Sequence, residues 1–166
     1  AISKLESGEL PINYEIFDIS ILLQEVVESL ELQAKKHHIN LEFKDKYQTV
    51  IKVEADREKI RQVLVNLIDN SIKYGKPNGT TSLKVFELHD QLLVEVTDDG
   101  LGIEEKYQAR IFERFYRTDQ SRSREIGGSG LGLAIVKHML EAQKQTITVR
   151  STEGVGSTFG FTLQKA

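Results

Sequence analysis

The chain has 166 residues, of which 39% are hydrophobic and 28% charged, and its formal net charge at pH 7 is −3. This length suits one domain with a sizeable core, and the composition is that of an ordinary globular protein. The absence of cysteine excludes disulfides, thiolate metal sites and cysteine nucleophiles. The slightly acidic balance gives no reason to expect nucleic acid as a partner.

The first residues resemble the end of a longer helix, because Gly8 stops a helical pattern and Pro11 prevents its continuation. We therefore expect residues 1–14 to belong to a preceding domain and its linker, and residues 15–166 to form the domain proper. Apolar residues at helical spacing then predict a first helix from Ile21 to about His37.

Alternating apolar and polar residues predict short strands along the rest of the chain, separated by two further helices. Asp56 is placed to cap a helix that runs to about Tyr74, and another helix is predicted over residues 131–143. Each strand has a single apolar face, which favours a two-layer α/β sandwich of about five main strands on three substantial helices, with a mixed, largely antiparallel sheet. The predicted strands lie near residues 39–43, 51–55, 81–88, 91–98, 147–149 and 159–163.

Residues 104–130 lack sustained periodicity, which predicts a long mobile segment with short helical pieces. Five arginines and two acids lie between residues 110 and 124, an excess of three positive charges that would attract an anionic ligand. The alternative is a solvated loop whose arginines confer solubility. Phe112 and Phe115 are expected to anchor this segment by packing, and Arg117 beyond them is placed to reach a phosphate.

The helix that ends near Tyr74 carries a polar stripe. At about 100° per residue, Asn66, Asn70 and Lys73 share one face, opposite a set of apolar residues. Asparagine is about 0.5 kcal/mol less favourable than alanine in a helix, so propensity does not explain this pair. Amide oxygens suit Mg²⁺, and a lysine beside them would neutralise phosphate charge. The alternative is a polar stripe that faces solvent.

Asp98 continues the inward-facing alternation of residues 92–96, so we expect its carboxylate to point towards the buried side. Buried carboxylates are rare unless they are paired. The exocyclic amine of adenine is a suitable donor, whereas guanine presents an acceptor at that position. Gly100 and Gly102 would let the backbone turn sharply and approach the base. Alternatively, Asp98 caps a turn at the end of a strand.

A glycine cluster at residues 127–132 immediately precedes the last predicted helix, where free N–H groups bind anions. It is not a G-x-G-x-x-G motif, because Leu133 occupies the last glycine position, and the chain contains no G-K-[ST] of a Walker A loop. The alternative is a flexible hinge without a ligand. The four histidines lack ligand spacing and are interpreted as structural or surface residues; they are His37, His38, His89 and His138.

In this order and spacing, the segments resemble the catalytic ATP-binding domain of bacterial sensor histidine kinases, which has the GHKL or Bergerat fold shared with gyrase, Hsp90 and MutL. The resemblance covers nearly the whole chain. The motifs that carry it are the N box (66–74), the G1 box (98–102), the F box (112–117), the G2 box (127–132) and a terminal G-x-G-[ST] (154–157). One departure is Gln143-Lys-Gln145, where relatives often have a glycine pair, which leaves the end of that helix in question.

The resemblance implies that ATP and Mg²⁺ are bound. It gives Asn70 the role of magnesium ligand with Asn66 assisting, Lys73 a phosphate contact, and Asp98 the adenine acceptor. Arg117 is similar to a residue of the ATP lid, which would span 113–130, and with Asn70 and Lys73 it would act in phosphoryl transfer. The remaining implied nucleotide contacts are Tyr74, Gly100, Gly102, Ile103, Gly128, Gly130, Leu131, Gly132, Leu133 and Thr158, of which Gly128, Gly130 and Gly132 would form the hinge of the lid.

Members of this family transfer the γ-phosphoryl group of ATP to a histidine followed by an acidic residue and soon a proline. No histidine of this chain has that context. The resemblance therefore implies the donor part of a kinase, whose partners are an N-terminal dimerisation and histidine-phosphotransfer domain of the same protein and a response regulator. It further implies a monomeric fragment, a homodimeric intact kinase, and a cytoplasmic domain of a protein anchored in the bacterial inner membrane.

Two alternatives stay open. One is a nucleotide-binding module that regulates a partner without chemistry. The other is a serine kinase that acts on an anti-sigma antagonist, against which the segments Leu5-Glu-Ser-Gly and Phe112–Phe115 argue, because both resemble sensor kinases.

Overall fold

The computed structural model describes residues 10–43, 50–113 and 132–166. Within these ranges the chain forms one sheet of seven strands, three longer helices and one single-turn helix. The strands are β1 (Glu15–Asp18), β2 (Asn40–Phe43), β3 (Lys52–Ala55), β4 (Thr80–Glu87), β5 (Gln91–Asp98), β6 (Ile147–Thr152) and β7 (Gly156–Lys165), and the helices are α1 (Ile19–Lys36), α2 (Arg57–Tyr74), α3 (Glu105–Gln108) and α4 (Gly132–Ala142).

The sheet has the order β1-β3-β7-β5-β4-β2, and β6 pairs with β7 beside this path. Strands β2 and β4 are parallel, whereas the other pairs are antiparallel. The predicted mixed, largely antiparallel sheet is therefore confirmed. The number of strands in the described part is seven rather than about five.

Strand β1 is the element that the sequence pattern did not predict. It has four residues, and Phe17 is its one buried apolar side chain, whereas Ile16 is exposed. Such a short edge strand has no apolar alternation to recognise. Its pairing with β3 is fixed by tertiary contact instead, with Phe17 opposite Val53.

One face of the sheet is covered by helices. Along β5 the exposure alternates strictly, and its inward residues pack with those of β7 and α2 in one core. The innermost side chains include Leu92, Val94, Phe159, Phe161, Leu163, Ile60, Leu64, Leu67 and Ile68. The predicted two-layer arrangement is thereby confirmed, and Asp98 lies at the end of the inward-facing row of β5.

Aspartates fix where the first two long helices begin. Asp56 accepts the N–H of Lys59 at 3.2 Å, as predicted for the cap of α2. Asp18 accepts the N–H of Ser20 at 2.9 Å, which starts α1 two residues earlier than the apolar spacing indicated. Among the helices of the described segments, none combines the length and apolar character that a membrane span requires.

Helix α4 ends in a Schellman motif without glycine. Gln145 N–H donates to the Leu140 carbonyl at 2.8 Å, and Lys144 N–H to the Glu141 carbonyl at 2.9 Å. Lys144 takes the left-handed position with φ 62°. The buried Gln143 completes the turn, since its side-chain oxygen accepts the Asp56 N–H at 2.8 Å and thereby ties the end of α4 to the cap of α2.

Replacing Lys144 by glycine should stabilise the protein. A side chain in the left-handed region strains the backbone, whereas glycine adopts it freely, so the free energy of unfolding should rise by about 0.5–1 kcal/mol. Chemical denaturation would measure it. The matched Lys137→Gly substitution, at an exposed interior position of α4, should instead lower the free energy of unfolding by about 1 kcal/mol. Equal losses in both variants would contradict the prediction.

Candidate functional site

Four segments of the chain meet at one end of the sheet: the end of α2, the end of β5, the loop after β5 and the β6–β7 turn. Leu101 N–H donates to the Tyr74 carbonyl at 3.3 Å, and Gly154 N–H donates to the Leu101 carbonyl at 2.7 Å. The loop after β5 is thus bonded to α2 on one side and to the β6–β7 turn on the other.

Two glycines permit this close contact. A Cβ atom on Gly100 would overlap the Tyr74 carbonyl oxygen, and one on Gly102, whose φ is 69°, would overlap the Thr152 carbonyl oxygen. The sharp backbone turn that the sequence predicts at these glycines is confirmed. The close approaches seen are to neighbouring backbone, and contact with a base stays a prediction.

Asp98 lies beneath this junction with its carboxylate buried, at 8% exposure, as its strand phase predicts. One carboxylate oxygen accepts the Gly100 N–H at 2.9 Å, and the other accepts the Ser71 hydroxyl at 3.4 Å. Ser71 is also within 2.8 Å of the Thr81 hydroxyl. Asp98 therefore caps the turn, as the alternative interpretation proposed. It also contacts α2 through Ser71, the residue that follows Asn70.

Burial raises the pKa of the Asp98 carboxyl above its ordinary value. The N–H groups of Gly100 and Ser157 and the Ser71 hydroxyl oppose this rise, because they stabilise the charged form. Asp99 adds to the rise by repulsion. The site thus contains a carboxylate that is costly to bury, and one further hydrogen-bond donor would stabilise its charged form.

Ser157 and Thr158, at the start of β7, lie on opposite faces of the sheet because successive residues of a strand alternate. Asp98 pairs with Ser157 across the strands, and Thr97 pairs with Thr158. Ser157 is buried beside Asp98, whereas Thr158 lies on the other face and is 3.0 Å from the Thr97 hydroxyl. The sequence analysis included Ser157 only in the terminal G-x-G-[ST] motif and assigned it no contact, although the inward alternation of Phe159 and Phe161 already places residue 157 on the buried face. The nucleotide contact predicted for Thr158 stays a prediction.

The amides of α2 are half-buried and available. Neither Asn66 nor Asn70 has a side-chain hydrogen bond to any residue in the three described ranges, while the neighbouring Ser71 is fully engaged. Free amide oxygens on one helix face fit a Mg²⁺ ion, which prefers neutral or anionic oxygen ligands together with water and phosphate. The donor set predicted from the sequence is thus chemically suitable.

Lys73 lies on the same face but is already paired. Its Nζ is 3.0 Å from Asp69 Oδ2, one helical turn back. The second oxygen of Asp69 accepts a hydrogen bond from Gln33 of α1. Asp69 and Gln33 were not singled out from the sequence, because a bond between residues 36 positions apart depends on the tertiary fold.

The segment after the glycine loop is fastened to the sheet. Gln108 of α3 donates to the carbonyls of Ile103 and Ser151 at 2.9 and 3.0 Å, and Ile103 N–H donates to the Ser151 hydroxyl at 2.7 Å. Phe112 packs edge-on against Phe159 with ring centroids 6.2 Å apart. The predicted anchoring by Phe112 and the short helix in this region are confirmed.

The other predicted site residues fall into two groups. Gly132 is exposed as the first residue of α4, and Leu133 and Ile103 pack against the core. The predictions for the rest of the lid lie outside the described residues; these are Phe115, Arg117, Gly128, Gly130 and Leu131.

The fold and this junction define a class of ATPase. The family model of histidine kinase-, DNA gyrase B- and HSP90-like ATPases matches residues 55–166, and the chain belongs to this family. It is 39% identical over 168 residues to the sensor histidine kinase WalK of Bacillus subtilis, an alignment that covers 98% of this chain and 26% of that protein. The family and fold predicted from the sequence are confirmed.

Solved structures agree. Full-length ShkA in complex with AMPPNP superposes with a TM-score of 0.86 at 27% identity, covering 99% of this chain and 34% of that one. The histidine kinase ThkA in complex with the response regulator TrrA superposes with a TM-score of 0.78 at 25% identity, covering 99% and 46%. The chain spans about a quarter of the length of the curated relative WalK, 26% by alignment.

Proposed function

We propose that this domain binds Mg·ATP and donates the γ-phosphoryl group to a histidine on a separate dimerisation domain of the same protein. The observation that carries the proposal is the buried Asp98 at the floor of the junction. Its carboxylate accepts a hydrogen bond from Ser71, the residue that follows Asn70 on α2. A base on Asp98 and phosphates beside α2 would occupy opposite ends of one site. The AMPPNP bound in the similar structure of ShkA supports the nucleotide class.

In the proposed reaction, an imidazole nitrogen of the acceptor histidine forms a bond to the γ-phosphorus while the bond to the β,γ-bridging oxygen breaks. ADP leaves, and the imidazole loses a proton. Such transfer depends mainly on positioning and charge neutralisation. Asp98 would orient the base, and Lys73 and Arg117 would offset phosphate charge. Mg²⁺, held by Asn70 with Asn66, would neutralise charge on the phosphate oxygens.

The response regulator is the second proposed partner, supported by the complex of the similar ThkA with TrrA. The intact protein is proposed to be a homodimer anchored in the bacterial inner membrane, with this domain on the cytoplasmic side and residues 1–14 leading from the dimerisation domain. A fragment that contains only this chain is proposed to be monomeric.

Phosphoryl transfer in trans would test the function. The chain, incubated with γ-labelled Mg·ATP and the purified dimerisation domain, should label that domain with acid-labile, base-stable phosphohistidine. The same domain with its acceptor histidine replaced by glutamine is the control and should stay unlabelled. Alone with Mg·ATP, the chain should form no phosphohistidine, and stable labelling of one of its own four histidines would contradict the proposal.

The second candidate function is a nucleotide-binding regulatory module. It takes its support from the same site, because the contacts to Asp98 and Asn70 serve binding as well as transfer. Tight Mg·ATP binding together with no transfer to an intact dimerisation domain would favour this alternative over the kinase.

A further inference from the structure

The Lys73–Asp69 ion pair lies where the proposed function needs a free cation. Both side chains are about one-third exposed, at 32% and 30%, and their charged atoms are 3.0 Å apart. An ammonium expected to meet phosphate is therefore already neutralised by an acid of its own helix. Any polyphosphate must compete with this carboxylate for Lys73.

Asp69 is held more firmly than an ordinary surface acid. Exposed ion pairs one turn apart on a helix are weak by themselves, because solvent screens them and both side chains lose freedom. Here Gln33 of α1 donates to the other carboxylate oxygen, so two helices hold Asp69. At about 100° per residue, Asp69 is next to Lys73 on the side of α2 that faces α1, and Asn66 and Asn70 lie on the other side of Lys73.

We propose that Asp69, fixed by Gln33, is a positioning residue that holds Lys73 in the empty site and competes with the nucleotide phosphates for its ammonium. The inference rests on the proposed function, since it takes the ligand beside Lys73 to be a polyphosphate. On binding, Lys73 exchanges the Asp69 carboxylate for phosphate, while Asp69 keeps its bond to Gln33. Asp69 thereby lowers the affinity for nucleotide through Lys73.

The Asp69→Asn variant tests this competition. Asparagine retains an oxygen that accepts from Gln33 but carries no charge, so Lys73 is released. The Kd for Mg·AMPPNP, measured by calorimetry, should fall about threefold to tenfold at low ionic strength, and the gain should shrink in about 0.5 M salt, where exposed charges are screened. Asp69→Glu keeps the charge, and its Kd should stay within about twofold of the wild-type value.

A double-mutant cycle with Lys73→Met identifies the route. If Asp69 acts through Lys73, Asp69→Asn should change the Kd less than about twofold in the Lys73→Met background. A full gain in that background would mean that Asp69 repels the phosphates directly, and weaker binding by Asp69→Asn itself would mean that it supports them; either result overturns the inference. Unchanged melting of the empty variants shows that the fold is intact.

These outcomes separate the inference from the proposed function. A wild-type chain that fails to bind Mg·AMPPNP would defeat both together. A wild-type chain that binds it, with no change in Kd for Asp69→Asn, would defeat the role of Asp69 alone.

Discussion

Substitution of Asp98 by asparagine is expected to weaken ATP binding about 100-fold, because a charged acceptor is replaced by an amide that donates towards the adenine amine. Both donors would then lack partners in a site where residue 98 is 8% exposed. The amide oxygen still accepts the Gly100 N–H, so the loop itself should persist. Calorimetric titration with Mg·ATP measures the change in Kd.

The neighbouring Asp99→Asn substitution is the matched control. Asp99 accepts the Thr80 N–H at 3.0 Å, which an asparagine oxygen also does, so its side chain is directed to the start of β4 rather than to Ser71 and α2. Its Kd for ATP should stay within about threefold of wild type. Similar losses in the two variants would show that general acidity near the site, rather than the Asp98 contact, controls binding.

The Asp98→Asn substitution should also stabilise the protein in the absence of nucleotide. Burial raises the pKa of Asp98, so at neutral pH the folded state carries a carboxylate that would be better hydrated in the unfolded chain. That cost is complete above the raised pKa and disappears as the pH falls towards the ordinary value of aspartate. The free energy of unfolding of Asp98→Asn should therefore exceed that of wild type at neutral pH, and the difference should shrink in acid.

Base selectivity provides an independent readout. Wild type should bind ATP more tightly than GTP, because a carboxylate that faces the guanine oxygen leaves two acceptors unpaired. An asparagine at residue 98 can donate to that oxygen, so the ratio of the two Kd values should move towards one. Equal affinities of the wild-type chain for ATP and GTP would refute the contact.

Helices and strands long enough to repeat an apolar pattern several times were predictable from the sequence. The buried or exposed position of each residue within them was predictable too. Asp98 is buried because β5 alternates, and α2 begins at Arg57 because Asp56 caps it. Strand β1 was not predictable, since four residues with one buried side chain contain no period. Its existence depends on pairing with β3, which lies far along the chain.

Some side-chain contacts were likewise predictable from the pattern of one element, whereas contacts between separate elements were not. The alternation along β7 was sufficient to identify Ser157 as the residue beside Asp98, although the sequence analysis assigned it no contact. The bonds of Gln33 to Asp69 and of Gln143 to Asp56 join separate helices, and periodicity does not indicate them. The departure at Gln143-Lys-Gln145 shows why: a strained lysine and a buried glutamine end the helix where glycine would do so more simply.

Replacing Asn70 by alanine is expected to reduce the rate of phosphoryl transfer by about 100-fold to 1000-fold, because it removes the oxygen ligand proposed for Mg²⁺. The half-saturating Mg²⁺ concentration should rise, whereas binding of metal-free ATP should change little. The fold should not suffer, since alanine is about 0.5 kcal/mol more favourable than asparagine in a helix and Asn70 has no side-chain bond within the described ranges. A loss of activity in a slightly more stable protein identifies a functional residue.

Two further variants test whether loss of Mg²⁺ binding causes the lower rate of Asn70→Ala. Asn66→Ala removes the assisting amide from the same face and should cost about tenfold in rate, clearly less than Asn70→Ala. Asn70→Asp keeps an oxygen ligand and adds a negative charge, so Mg²⁺ should half-saturate at a lower concentration while metal-free ATP binds more weakly. If Asn70→Ala and Asn70→Asp shifted the Mg²⁺ dependence in the same direction, or not at all, residue 70 would not be a metal ligand, and the polar stripe of α2 would be a solvent-facing surface.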